Sequence, residues 1–327
     1  MPIVNSSFRP VAWQWGGHLQ TIIPSLFRRV TQPSDPVEIP LPDGDRLVAD
    51  YYSVGKPAAE TPVIIIAHGL EGHSQQPYVT GMARAAQANG WAVIGWNFRG
   101  CGRADNLTPK VYYAGCSEDL DAVVTWARVQ GHQRIMLSGY SMGANVTLKW
   151  LGEQGGQAIE RGVVAAAVAS APVDLEGCAD TLGKPSNWLY RKRFVRDLST
   201  RLRRKAERFP NHFDLTQLNQ VRTVRDFDEF YTGPLQGYAN AAEYYAACSA
   251  QRFMWDIMVP TLVVNAVNDP FLSPSCFPLE QAATHSQLYF EAPESGGHVG
   301  FQGKPGPWYL DERFSLFLVQ ALTDATT

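Results

Sequence analysis

The amino-acid sequence predicts an α/β fold: a mostly parallel sheet with helices on both faces and a helical cap inserted over it. Three observations carry that prediction. Short apolar runs ending in Gly, Pro, Asn or Asp recur along the 327 residues, helical patterns fill most of the intervals, and the rhythm stops between about Gly177 and Ala250. Continuous runs rich in β-branched residues fit strands buried on both faces, and their alternation with helices fits parallel pairing. The chain divides accordingly into a core, residues 1–176 and 251–327, and a helical cap insertion, 177–250.

The first element, VEIPLPDGDRLVADYYS (37–53), alternates around a Pro-Asp-Gly-Asp turn and reads as an antiparallel hairpin at one sheet edge. Six buried strands follow: PVIIIAHG (62–69), WAVIGWNFRG (91–100), RIMLSGY (134–140), VVAAAVASAP (163–172), TLVVNAVND (261–269) and QLYFEAPE (287–294). The insertion has no strand run. It offers helix starts at Ser186, before WLYRKRFVRDL, and at Thr223-Val-Arg-Asp226 and Asn240-Ala-Ala-Glu243, the last two spaced as capping boxes.

A hydrophobic content of 45% suffices for a sizeable core, and a net charge of −3 with a pI near 6.2 argues against a general nucleic-acid binder. The five cysteines are scattered without zinc-ligand spacing and read as reduced thiols of a cytoplasmic protein. MPIVNSSFRPVAWQWGG lacks the basic start and apolar stretch of a secretion signal, and no run reaches the ~18 apolar residues of a membrane span, so a soluble protein is expected. There is no GxGxxG after the first strand, no GxxxxGK[ST] and no HExxH, so no cofactor or metal is implied.

Gly139-Tyr140-Ser141-Met142-Gly143 has a strand before it and a helical pattern after it, the context of a nucleophile elbow. The turn is sharp, and its flanks require glycine. A serine hydroxyl is a poor nucleophile at neutral pH; it needs a base, and the base needs an orienting carboxylate. In elbows of this kind the partners follow in the order serine, acid, histidine. Asp269, after TLVVNAVN, and His298, in ESGGHVGF, both fall beyond strand ends at the same sheet edge as Ser141. Asp174, after VVAAAVAS, is the rival acid. His285 and His132 precede strands and belong to the opposite edge, while His73 and His212 lie outside any strand end that needs a base. For the oxyanion, the N–H of Met142 and, from the His68-Gly69-Leu70-Glu71-Gly72 turn, the N–H of Leu70 are the expected donors. His68 is expected to orient that turn, Arg99 to pin a loop, and His18 to serve structure.

With these residues in place, the chain resembles the α/β-hydrolase superfamily, and within it the YheT-like group related to acylglycerol lipases and alcohol acyltransferases. GGHLQTI (16–22), HGLEGHS (68–74), NFRGCG (97–102), GYSMGAN (139–145), VND (267–269), GGHVGF (296–301) and the cap segment TVRDFDEFYTGPLQGYANAAEYY (223–245) carry the resemblance. It implies hydrolysis of short- to medium-chain or monoacylglycerol-like esters through an acyl-enzyme on Ser141. Transfer of the acyl group to an alcohol is the nearest alternative. A catalytically silent scaffold is the other, although such proteins usually lack a triad member. Cys116 stands where relatives often carry another residue and has no assigned role.

Lys184 to Arg208 holds ten Lys or Arg against two acidic residues. Phe194, Val195, Leu198 and Leu202 recur at helical spacing, a basic amphipathic pattern that either packs its apolar side on the core or lies on anionic membrane. The expected partners are therefore a small-molecule or lipid ester, with peripheral membrane contact through this helix as an added possibility.

Overall fold

The computed structural model describes residues 3–303 and 308–324. Its sheet consists of β1 (Ile3–Val4), β2 (Asp35–Pro40), β3 (Arg46–Tyr52), β4 (Val63–Ala67), β5 (Ala92–Trp96), β6 (Ile135–Tyr140), β7 (Val163–Ala169), β8 (Thr261–Val264) and β9 (Leu288–Glu291), in the order β1-β9-β8-β7-β6-β4-β5-β3-β2. Neighbours from β1 to β5 pair in parallel; β3 runs antiparallel to β5, and β2 to β3. All the residues of β4, β5, β6 and β8 are buried, as strands covered on both faces require. The hairpin forms the expected edge. At the other edge β1, two residues that pair with Phe290 and Glu291, has no counterpart in the sequence reading.

The helices follow in chain order. α1 (Gly16–Phe27) precedes the hairpin, α2 (Pro77–Ala88) follows β4, α3 (Ser117–Val129) follows β5, and α4 (Met142–Gln154) with the single turn α5 (Gln157–Glu160) follows β6. Between β7 and β8 come α6 (Leu175–Gly183), α7 (Trp188–Arg208), α8 (Val224–Phe227), α9 (Gly233–Leu235) and α10 (Ala241–Cys248), with short 3-10 and π turns and no strand among these described residues. α11 (Leu279–Thr284) joins β8 to β9, and α12 (Tyr309–Asp324) ends the described chain. Alternate strand residues feed two core layers. Ile65, Leu137 and Val146 of α4 lie in one, and Ile64, Ile66, Met82 of α2 and Phe314 of α12 in the other. Cys116, buried, precedes the first residue of α3 and packs in the first layer.

The helix starts differ in detail from expectation. Thr223 and Asp226 form a complete capping box on α8. Asn240 accepts from the Glu243 N–H at 2.9 Å, but Glu243 Oε2 takes the Ala239 N–H at 2.7 Å, one residue before the reciprocal site. Ser186 does not start α7. It sits in a 3-10 turn (Pro185–Asn187), and the flanking Asn187 donates to the Thr181 and Pro270 carbonyls at 2.9 and 2.8 Å, so the helix opens without a side-chain cap. The apolar side of α7 turns inward: Leu198 and Leu202 are buried against Leu218, Val221, Phe227 and Tyr231.

Candidate active site

β6 delivers Ser141 to its carboxyl end and α4 begins at the next residue. Ser141 has φ 55° and ψ −124°, a backbone conformation a serine rarely adopts, and it is held there by the close approach of both flanks. A Cβ on Gly139 would come within 2.4 Å of the Gly143 carbonyl oxygen, and one on Gly143 within 2.5 Å of the carbonyl oxygens of Ala67 and His68. Only glycine tolerates those contacts.

The three side chains named from the sequence form one hydrogen-bonded chain. Ser141 Oγ lies 2.8 Å from His298 Nε2, and His298 Nδ1 lies 2.9 Å from Asp269 Oδ2 and 3.1 Å from Oδ1. A carboxylate facing Nδ1 fixes the proton on that nitrogen and leaves Nε2 as acceptor for the serine hydroxyl. The Asp269 carboxylate is fully buried and also accepts the Phe271 N–H at 2.9 Å. The rival Asp174 is occupied elsewhere: it caps α6 through the Gly177 N–H at 3.1 Å and accepts from Ser275 Oγ. His132 bonds the Thr61 carbonyl and Tyr51 hydroxyl, and His285 the Trp255 carbonyl, both away from this edge.

The loop after β4 is tied at several atoms. Phe98 N–H donates to His68 Nε2 at 3.3 Å, so Nδ1 carries the proton and donates to the Gly69 carbonyl at 2.7 Å. Complete burial pushes the His68 pKa down to about 3, which keeps the ring neutral. Gly69 N–H donates to Tyr78 Oη at 3.0 Å. With the Gly69 carbonyl held on His68, the trans peptide turns the Leu70 N–H the other way, and Leu70 lines the same cavity as Ser141, Met142 and His298. Met142 is the first residue of α4, where an N–H has no intrahelical partner. Neither N–H makes a hydrogen bond among the described residues.

Sequence reasoning missed much of the support. Glu71, at φ 54°, receives Arg201 of α7 through Nε at 2.7 Å and Nη2 at 3.0 Å, and its Oε1 accepts Tyr112 Oη. Arg201 also donates to the Gly100 carbonyl. The loop bearing His298 is held by α1: Thr21 Oγ1 accepts the His298 N–H at 2.8 Å, and Gln20 Oε1 accepts the Gly296 N–H at 2.7 Å and Asn268 Nδ2 at 2.9 Å. GGHLQTI stood out in the sequence, but through His18; the working residues are its neighbours. His18 itself is exposed and stacks on Tyr190 of α7. Asn145, in the GYSMGAN segment, donates to the Ala114 and Cys248 carbonyls and accepts the Ala250 N–H, tying α4 to the return from the insertion. Arg99 does pin a loop: it joins Asp119 of α3 to Asp43 and Asp45 of the hairpin turn.

Over Ser141 lies an empty space of about 1040 Å³, part of it open to solvent, with walls that include Leu175, Phe194, Leu198, Leu202 and Phe227. One carboxyl interrupts this apolar lining. Asp228, buried in a π-helical turn, accepts Tyr245 Oη at 2.7 Å, and burial raises its pKa to about 6. A carboxyl raised above its unfolded value stabilises most when both states are protonated, and that contribution is lost as pH rises through the folded pKa. Asp228→Asn should therefore raise the thermal midpoint near pH 8, by up to about 3 kcal/mol of stability, and leave it almost unchanged near pH 4. Scanning calorimetry at both pH values checks this.

Among the described residues no group of His, Cys, Asp or Glu is arranged to hold a metal ion, and no helix is long and apolar enough to cross a membrane.

Residues 62–305 match the α/β hydrolase fold family. The chain is 33% identical over 303 residues to YheT of Escherichia coli K12, covering 91% of this chain and 88% of that one. It is 27% identical over 340 residues to the phospholipase ABHD3 of Mus musculus, covering 99% and 80%. A Pyrococcus furiosus esterase, Pf2001, superposes with TM-score 0.59 at 16% identity, covering 96% of each chain. The chain belongs to the α/β-hydrolase family, as a hydrolase of esterase or lipase type.

Proposed function

We propose that this chain is a serine carboxylester hydrolase acting on short- to medium-chain esters or monoacylglycerol-like lipids. The observation that carries the reading is the continuous chain from Asp269 through His298 to Ser141 on the floor of an apolar cavity. Ser141 Oγ attacks the ester carbonyl and its proton passes to His298 Nε2. Asp269 holds the imidazole and balances the imidazolium. The N–H groups of Leu70 and Met142 receive the oxyanion, a donor of this kind contributing ~10²–10³ in rate. As the tetrahedral species collapses, the C–O bond to the alcohol breaks and the leaving oxygen takes the proton from Nε2. Water then attacks the acyl-serine, gives its proton to His298, and the carboxylic acid leaves as Ser141 regains its hydrogen.

The apolar walls support an aliphatic acyl group. The scattered cysteines, without zinc-ligand spacing, belong with a reducing, cytoplasmic setting in this reading; Cys178 and Cys276 are buried with their sulfurs in hydrogen-bond contact at 3.3 Å.

Labelling with a fluorophosphonate tests the acyl-enzyme: wild type should react and the modified peptide should contain Ser141. A p-nitrophenyl ester series from acetate to palmitate then reports chain length, with a preference for short to medium chains expected. Adding a primary alcohol during turnover reports how the acyl group divides between water and alcohol. An unlabelled, inactive wild type would return the chain to the silent-scaffold reading.

A further inference from the structure

Helix α1 is amphipathic the wrong way round. A helix on a soluble protein ordinarily hides its apolar stripe and shows its polar face. In α1 the inward residues are Gln20, Thr21 and Pro24, and the first two are spent on the backbone beside His298. At 100° per residue, Leu19, Ile22 and Leu26 share the opposite side. Leu19 is 40% and Leu26 52% exposed, and Trp15, just before the helix, is 79% exposed. The helix is fixed in this orientation. Arg28, immediately after it, is buried in an ion pair with Asp311 of α12 and lies over the Trp308 ring at 4.5 Å.

The start of α7 meets α1 and carries exposed apolar residues of its own. His18 of α1 stacks on Tyr190 with ring centroids 5.7 Å apart, and beside Tyr190 stand Trp188 and Leu189, 56% and 50% exposed. Lys192, Arg193 and Arg196 follow on the same side of α7 and are exposed; the one acid near them, Asp197, is shared between Arg193 and Arg196. Tryptophan and leucine bordered by three cations against one acid form the composition of a surface that enters a lipid headgroup layer, where the rings sit at the apolar boundary and the excess positive charge meets anionic headgroups. The core of a protein interface, by contrast, is depleted in lysine.

The patch also adjoins the mouth of the cavity. The Tyr190 ring packs on Phe271 at 4.7 Å, and Phe271 packs on His298 at 4.2 Å. Phe194, one turn further along α7 and in the cavity wall, also meets Phe271, at 5.9 Å.

We propose that the α1 face and the first turns of α7 form a docking surface for an anionic lipid bilayer, which seats the cavity mouth against the membrane. The purpose of such docking, delivery of a bilayer-borne ester to Ser141, rests on the hydrolase reading; the docking itself does not. The same helix that supports the His298 loop thus turns its other face to the lipid, and the inverted pattern satisfies both demands.

Co-sedimentation with vesicles of phosphatidylcholine, with and without phosphatidylglycerol, tests this on the full chain. Wild type should sediment with the phosphatidylglycerol vesicles, far less with phosphatidylcholine alone, and less as salt rises. Leu19→Gln with Leu26→Gln should weaken binding by about tenfold or more, and so should Lys192→Glu with Arg193→Glu, which removes the charge without touching α1. Circular dichroism melts should match wild type, and hydrolysis of water-soluble p-nitrophenyl acetate should be unchanged. Failure of wild type to sediment, equal binding to both vesicle types, or variants that bind like wild type would overturn the proposal. So would a wild-type dimer that Leu26→Gln dissociates, since the face would then be covered by a second copy. If the hydrolase reading alone is wrong, fluorophosphonate labelling fails while sedimentation stands.

Discussion

Ser141→Ala should lower kcat on any ester substrate by about 10⁶-fold and abolish fluorophosphonate labelling, with the fold intact. The substitution removes one oxygen and keeps Cβ, so neither the positive φ of residue 141 nor the contacts of Gly139 and Gly143 change. What disappears is the oxygen 2.8 Å from His298 Nε2 that would form the acyl bond. The residual rate over water, ~10³-fold or more, would come from the Leu70 and Met142 N–H groups and from binding. Steady-state kinetics on p-nitrophenyl esters with a calorimetric check of the melt would decide it; a variant within tenfold of wild type sinks the serine mechanism.

Asp269→Asn should lower kcat by about 10⁴-fold. The local geometry makes the sign unambiguous. Oδ1 accepts the Phe271 N–H at 2.9 Å, so an asparagine keeps its oxygen there and turns its NH₂ toward His298 Nδ1. Nδ1 must then be the acceptor, the ring proton moves to Nε2, and the serine hydroxyl faces a donor where it needs a base. Asp174→Asn is the control. That residue caps α6 and accepts from Ser275, so its substitution should cost stability of about 1 kcal/mol or less and leave kcat within a few-fold. Reversal of these two results would move the acid to Asp174.

Legibility in the sequence followed the range of the interaction. Strands β4 to β9 declare themselves because burial on both faces forces an unbroken apolar run, and the elbow because a tight turn forces glycine on both sides of Ser141. Asp269 and His298 could be found because strand direction dictates the edge at which each loop emerges. β1 could not: two residues carry no period, and their pairing depends on Phe290, far away in the chain. Ser186 misled because a capping preference is local, whereas the start of α7 is set by Asn187 reaching the Pro270 carbonyl. Thr21, Gln20, Glu71 and Arg201 are common polar residues whose value comes entirely from distant partners, and no spacing rule marks them.

The fork between Arg201 and Glu71 fastens α7 to the turn that carries Leu70. Arg201 is 15% and Glu71 9% exposed at the side chain, so parting them strands two charges in poor solvent, a penalty of about 3–5 kcal/mol when a buried partner is lost. An outward swing of α7 would therefore have to break this fork or carry the residue after Leu70 with it. On the proposed reading, any widening of the entrance by α7 would loosen the turn that aims the Leu70 N–H, so access and reactivity would be coupled through one ion pair.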